Sequence, residues 1–181
     1  MSEIPVEPIK KNRSLTIILL VLIPLLIGAG IFIYAILDTY VISPMQQKNM
    51  SPDQLLCDRL GVWNKGRETK SGVTAIKKLD EAGNYDMWYN FYPVGTQSTD
   101  DELAVKIAKD LIKTFMDKDA LNELKVTVCL PYRDEYLNTV WRPYVSFEMN
   151  RNKLAKYNYS NFVSSDLYTV AENVVRYENN K

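Results

Sequence analysis

Residues 15–37 constrain this chain more than any other stretch: 23 consecutive positions carry no Asp, Glu, Lys or Arg, and most are Leu or Ile. A helix of that length spans about 34 Å against a hydrocarbon core of about 30 Å, so the run predicts a single transmembrane helix over 14–37. A cleaved signal peptide has a shorter apolar region of about 7 to 15 residues that ends at small residues. Here the run leaves through Tyr34-Ala35-Ile36-Leu37-Asp38, which favours an uncleaved signal-anchor. Pro24, Gly28 and Gly30 are tolerated in such a helix because neighbouring groups satisfy the freed backbone.

Lys10, Lys11 and Arg13 precede the run, and no basic residue follows it until Lys48. Basic flanks stay on the cytoplasmic side. The expectation is a cytoplasmic tail over 1–13, a stalk over 38–50 and an exported globular domain over 51–181, periplasmic or extracellular. Because Lys10, Lys11, Arg13, Glu3 and Glu7 stand before the run, 19 of the 22 basic and 20 of the 22 acidic residues follow it, a net charge of −1. Nucleic acid is therefore not an expected partner; the membrane, and other membrane or envelope proteins, are. Cys57 and Cys129 are the only cysteines. In an oxidising compartment they are the candidates for one disulfide, two free thiols being the alternative.

Within 51–181 the pattern alternates between helix and strand. Ser51-Pro52-Asp53-Gln54 reads as a helix start, stopped by Gly61. Strands over 73–79 and 85–94 flank Asp80-Glu81-Ala82-Gly83-Asn84 and read as a hairpin. In the second, Tyr85, Met87, Tyr89 and Phe91 face the core, which leaves Trp88 and Tyr92 on the outer face beneath an expected covering helix. Thr99 and three acids open a helix over 99–117 with the apolar stripe Leu103, Ala104, Ile107, Ala108, Leu111 and Phe115. Strands follow over 124–130 and 141–149, the latter with Trp141, Val145, Phe147 and Met149 on one side, joined by a long polar link. A last helix is expected over 165–178. The order α-β-β-α-β-β-α predicts an α+β domain with a mainly antiparallel four-stranded sheet packed by helices.

The chain contains no histidine, which removes Ser-His and Cys-His nucleophiles and histidine-containing zinc sites. Gly61 and Gly66 have the spacing of a phosphate-binding loop, but Arg67-Glu68 replaces the required Lys-Ser/Thr. No cofactor is expected. Asp100-Asp101-Glu102 read as charges favouring a helix N-terminus. Two surfaces are candidates for a partner or ligand: Trp88 with Tyr92, and the basic and aromatic segment of Arg142, Tyr144, Arg151, Lys153, Lys156, Tyr157 and Tyr159. The leading expectation is a membrane-anchored, non-enzymatic interaction or assembly protein. The alternatives are an envelope ligand-binding or sensory module, and a carboxylate-dependent hydrolase.

Overall fold

The computed structural model describes residues 13–38, 43–65, 70–157 and 162–177, with side chains from residue 22 onward. The chain divides into two compact units, Met1–Lys48 and Asn49–Lys181. In the first lies α1 (Arg13–Leu37), with Pro24 inside it. A second helix, α2 (Ser43–Asn49), occupies positions expected to form an unpacked stalk, and it buries no residue.

Among the described residues no helix is long and apolar enough to cross a membrane. This overturns the expected single-pass anchor over 14–37, and with it the cytoplasmic N-terminus and the exported domain. The basic flank Lys10 and Lys11 lies outside the described residues, as does Tyr159.

The second unit opens with α3 (Pro52–Leu60). Gln54 Oε1 accepts the Ser51 N–H at 3.0 Å, and Gly61 ends the helix at φ 77°, as the sequence predicts. Strands β1 (Gly72–Lys78) and β2 (Asn84–Asn90) form the expected hairpin. Its turn is held by Asp80, whose Oδ1 accepts the Asn84 N–H at 3.2 Å and whose Oδ2 accepts Asn84 Nδ2 at 2.8 Å. Helix α4 (Thr99–Asp117) buries all six residues of the expected stripe, and Ile112 with them. Its cap is Ser98, one residue before the expected one, accepting the Asp101 N–H at 3.2 Å.

The sheet departs from the expected four-stranded arrangement. It has five strands in the order β1-β2-β3-β4-β5 and is mixed, because β2 pairs with β3 (Glu123–Arg133) in parallel through the α4 crossover. The link between β3 and β4 (Thr139–Asn150) is a tight hairpin loop in which Asp134 Oδ1 accepts the Tyr136 and Asn138 N–H groups. A short helix, α5 (Arg151–Leu154), follows β4, and where the last helix was expected, over 165–178, stand a 3₁₀ turn over Ser164–Asp166, α6 (Leu167–Val170) and an edge strand, β5 (Glu172–Arg176). Asn173 lies at φ 49°, and the β-branched pair Val174-Val175 then suits an extended edge.

Alternation divides the sheet into two faces. Tyr85, Met87, Tyr89, Leu124, Val126, Val128, Val145, Phe147 and Met149 form the core with α3, α4, Leu154, Leu167 and Val170. A bulge between Val128 and Cys129 pairs Cys129 with Pro143, leaving Tyr144 as the extra residue of β4. The parity of the strand therefore changes, and Trp141 leaves the core face on which the sequence placed it.

Candidate functional site

Among the described residues of Asn49–Lys181, the helices that pack on the sheet belong to the core side. Among those residues no helix lies on the other face, so the helix expected over Trp88 and Tyr92 is not seen there. Trp88 stands at its centre, 41% exposed, in the cross-strand row Ala75–Trp88–Thr127–Ser146–Val175. Its neighbours Thr127 and Ser146 are short and only 4% and 5% exposed, and the Tyr177 hydroxyl lies 3.3 Å from Ser146 Oγ, so the indole stands beside a closed surface of small side chains. Tyr92 is half-buried past the end of β2, its N–H bonded to Ser71 Oγ at 3.0 Å.

The next row toward the hairpin turn is charged: Lys77–Asp86–Lys125–Glu148. In the opposite direction lie Asn90–Cys129–Pro143 and then Trp141, whose ring meets Trp63 edge-on at a centroid distance of 5.8 Å. All three tryptophans of the chain thus lie outside the core cluster. Trp63 is held beside β1 by its N–H to Val73 O at 2.9 Å. A Cβ on Gly72 would stand 2.6 Å from the Trp63 nitrogen, so glycine is required there for the two backbones to approach. The sequence pointed to Trp88 by alternation alone; Trp63, Thr127 and Ser146 needed the cross-strand register.

A second concave surface runs along the outside of α4. It is a groove of about 980 Å³ lined by Val105, Lys109, Ile112 and Met116 of the helix and by Phe162 and Val163 opposite. Val105, Met116 and Val163 are exposed. The signal for it was present in the sequence as apolar positions at 105, 112 and 116, a second helical stripe.

The basic and aromatic segment does not converge. Arg142 and Arg151 are nine residues apart on and just beyond β4, about 30 Å. Arg142 stacks over Tyr132 at 5.9 Å, and Tyr144 sits beside Asp100 and Arg176. Arg151 donates to the carbonyls of Leu121 and Phe115 at 2.9 and 2.7 Å and to that of Lys118. Lys153 donates to Ala171 O at 2.9 Å. Only Lys153, Lys156 and Tyr157 share a recess, of about 490 Å³, with Glu172. These side chains mainly fasten the fold.

The first-turn acids of α4 are engaged locally. Asp100 pairs with Arg176 at 2.6 Å and lies 3.4 Å from the Tyr168 hydroxyl, and burial followed by the Asp100 charge pushes that hydroxyl's pKa up. Glu102 Oε1 accepts the Val94 and Gly95 N–H groups at 2.7 and 2.8 Å. Among the described residues no three acidic or cysteine side chains gather into a metal-holding group. Cys57 and Cys129 are both free. Cys57 packs on the core cluster while Cys129 belongs to the uncovered face, so the candidate disulfide is not formed because the sheet separates the two. The chain matches no family model, no curated protein and no solved structure.

Proposed function

We propose that this protein is a non-catalytic interaction and assembly module that docks a protein partner on the uncovered face of its sheet, with Trp88 as the anchor. The observation that carries this reading is the 41% exposed indole of Trp88 at the centre of the sheet face, beside the small side chains of Thr127 and Ser146. Hot spots of protein interfaces concentrate in tryptophan, tyrosine and arginine near the centre of the contact, and an indole raised above small neighbours projects toward a partner. The first-turn acids of α4 favour this reading over carboxylate chemistry, because cap, backbone and ion-pair contacts occupy them.

The test is photo-cross-linking in cells from a benzophenone amino acid placed at position 88, with position 136, on the exposed β3–β4 loop, as control. A discrete protein adduct from position 88 that is absent from position 136 is the expected result. Equal labelling from both positions, or none from 88, would overturn the reading.

The groove on α4 favours a second reading, a ligand-binding module. Its floor is apolar and Lys109 and Lys113 line it, with Asp101 at the far end. That combination suits an amphipathic ligand carrying carboxylates. Met116→Glu should then abolish binding of an acidic amphipathic peptide, and unchanged binding would exclude the groove.

A further inference from the structure

We infer that the partner on the uncovered sheet face is a second copy of this chain, docked face to face about a two-fold axis that runs parallel to the strands between β2 and β3. The inference rests on the docking reading above and names the occupant of that surface.

The charged row supplies the argument. Lys77, Asp86, Lys125 and Glu148 are register partners on β1, β2, β3 and β4, so the signs read plus, minus, plus, minus across the sheet. A two-fold axis along the strands keeps each row at its own height and reverses its order. With the axis between β2 and β3, Asp86 faces Lys125 of the other copy, and Lys77 faces Glu148. Both contacts occur twice, as an isologous interface requires. Moving the axis onto β3 sets Lys125 against itself and Asp86 against Glu148. Moving it between β3 and β4 sets Asp86 against Glu172, which continues the row on β5. Only the axis between β2 and β3 pairs both acids with both lysines of β1–β4.

The neighbouring row fits the same axis. Trp88 then stands over Thr127 of the other copy, and Ala75 stands over Ser146. The most projecting side chain of each face meets a short one of its mate, and the small residues Ala75 and Ser146 oppose one another. Two sheets packed this way lie about 10 Å apart, a gap that a tryptophan and a threonine fill together. The face is four strands wide, roughly 19 Å by 23 Å along a seven-residue strand. That is small for an obligate dimer and places the association among weak, concentration-dependent contacts.

The experiment is sedimentation of the full chain over a concentration series, for the parent, Asp86→Lys, Lys125→Glu and an equimolar mixture of the two variants. Each variant alone opposes like charges twice across the interface, and its dimer should weaken about tenfold or more. In the mixture every pair is again of opposite sign, and the hetero-dimer should return to within about threefold of the parent. Because each variant carries the same fold defect alone and mixed, recovery on mixing cannot come from refolding. A dimer indifferent to both substitutions would overturn this geometry. A monomer whose position-88 adduct contains a different protein would overturn the second copy and leave the docking reading standing. A monomer with no adduct would remove both.

Discussion

Arg151 donates from Nε to the carbonyl oxygen of Leu121 at 2.9 Å, joining the start of α5 to the turn that follows α4. The same guanidinium serves Phe115 O and Lys118 O, so one cation satisfies carbonyls that the end of α4 leaves without helical partners. Arg151→Ala should destabilise the fold by about 2–4 kcal/mol, because hydrogen bonds from a charged donor each contribute about 1.5–3 kcal/mol and bare carbonyls remain. Arg151→Lys should recover less than half, since one ammonium cannot reach three acceptors in a fixed fork. Urea titrations would show the midpoint falling with the slope unchanged; a midpoint unaffected by Arg151→Ala would refute the role.

The two thiols should differ in reactivity. Burial pushes the Cys129 pKa up to about 11, whereas Cys57, half-buried on α3, is raised less, by burial and then by Asp53. The thiolate is the reacting species. At neutral pH Cys57 should therefore be alkylated first in the folded protein, with Cys129 following at least tenfold more slowly and accelerating as the pH climbs toward 11. Mass spectrometry of partially alkylated protein reads the order directly, and equal rates would show that Cys129 is not shielded by its neighbours on the sheet.

Asp80 gives the β1–β2 turn a pH dependence. The Asn84 backbone N–H, followed by the Asn84 side chain, holds its carboxyl below the usual range. A carboxylate with a folded pKa lower than its unfolded one contributes stability that is fully present above the unfolded value, near 3.8, and is lost as the pH falls through the folded value. The stability difference between the parent and Asp80→Asn should thus be constant from neutral pH down to about 5 and close below about 4. Urea midpoints across that range test it, and a gap that widened on acidification would reverse the sign.

Helix α4 and the buried set of β2 were legible because each is written in a local period, and burial follows period wherever one face meets a core. Strand partners are not written that way. The residues of β2 and β3 announce two strands, but only the position of α4 between them makes the pair parallel. Trp141 was misplaced because a bulge at Val128/Cys129 adds one residue to β4, and a one-residue change moves every later side chain to the other face. Trp88 was legible as an outward aromatic; its small neighbours were not, since Thr127 and Ser146 come from strands whose register the sequence does not state. Arg151 stood out as a cation among tyrosines, yet its role depends on carbonyls 30 to 36 positions away.

Gly83 and Gly61 separate backbone strain from lack of space. Both have positive φ, 87° and 77°, and Gly61, at ψ 152°, lies in a region reserved almost entirely for glycine, which costs an alanine about 1–3 kcal/mol. At Gly61 a Cβ would meet nothing within 4 Å, whereas at Gly83 it would stand 1.9 Å from the carbonyl oxygen of Ala120. That contact cannot relax cheaply, because the Gly83 carbonyl also accepts the Asn122 N–H at 2.9 Å and Asn122 Nδ2 reaches Asn84 Oδ1 at 3.2 Å. The hairpin and the entry to β3 would have to separate together. Gly61→Ala should therefore cost about 1–3 kcal/mol from backbone strain alone, and Gly83→Ala, which adds the clash with Ala120, about 4 kcal/mol or more. Equilibrium unfolding of the two variants side by side measures the gap, and equal losses would mean that the approach of Gly83 to Ala120 does not constrain the fold.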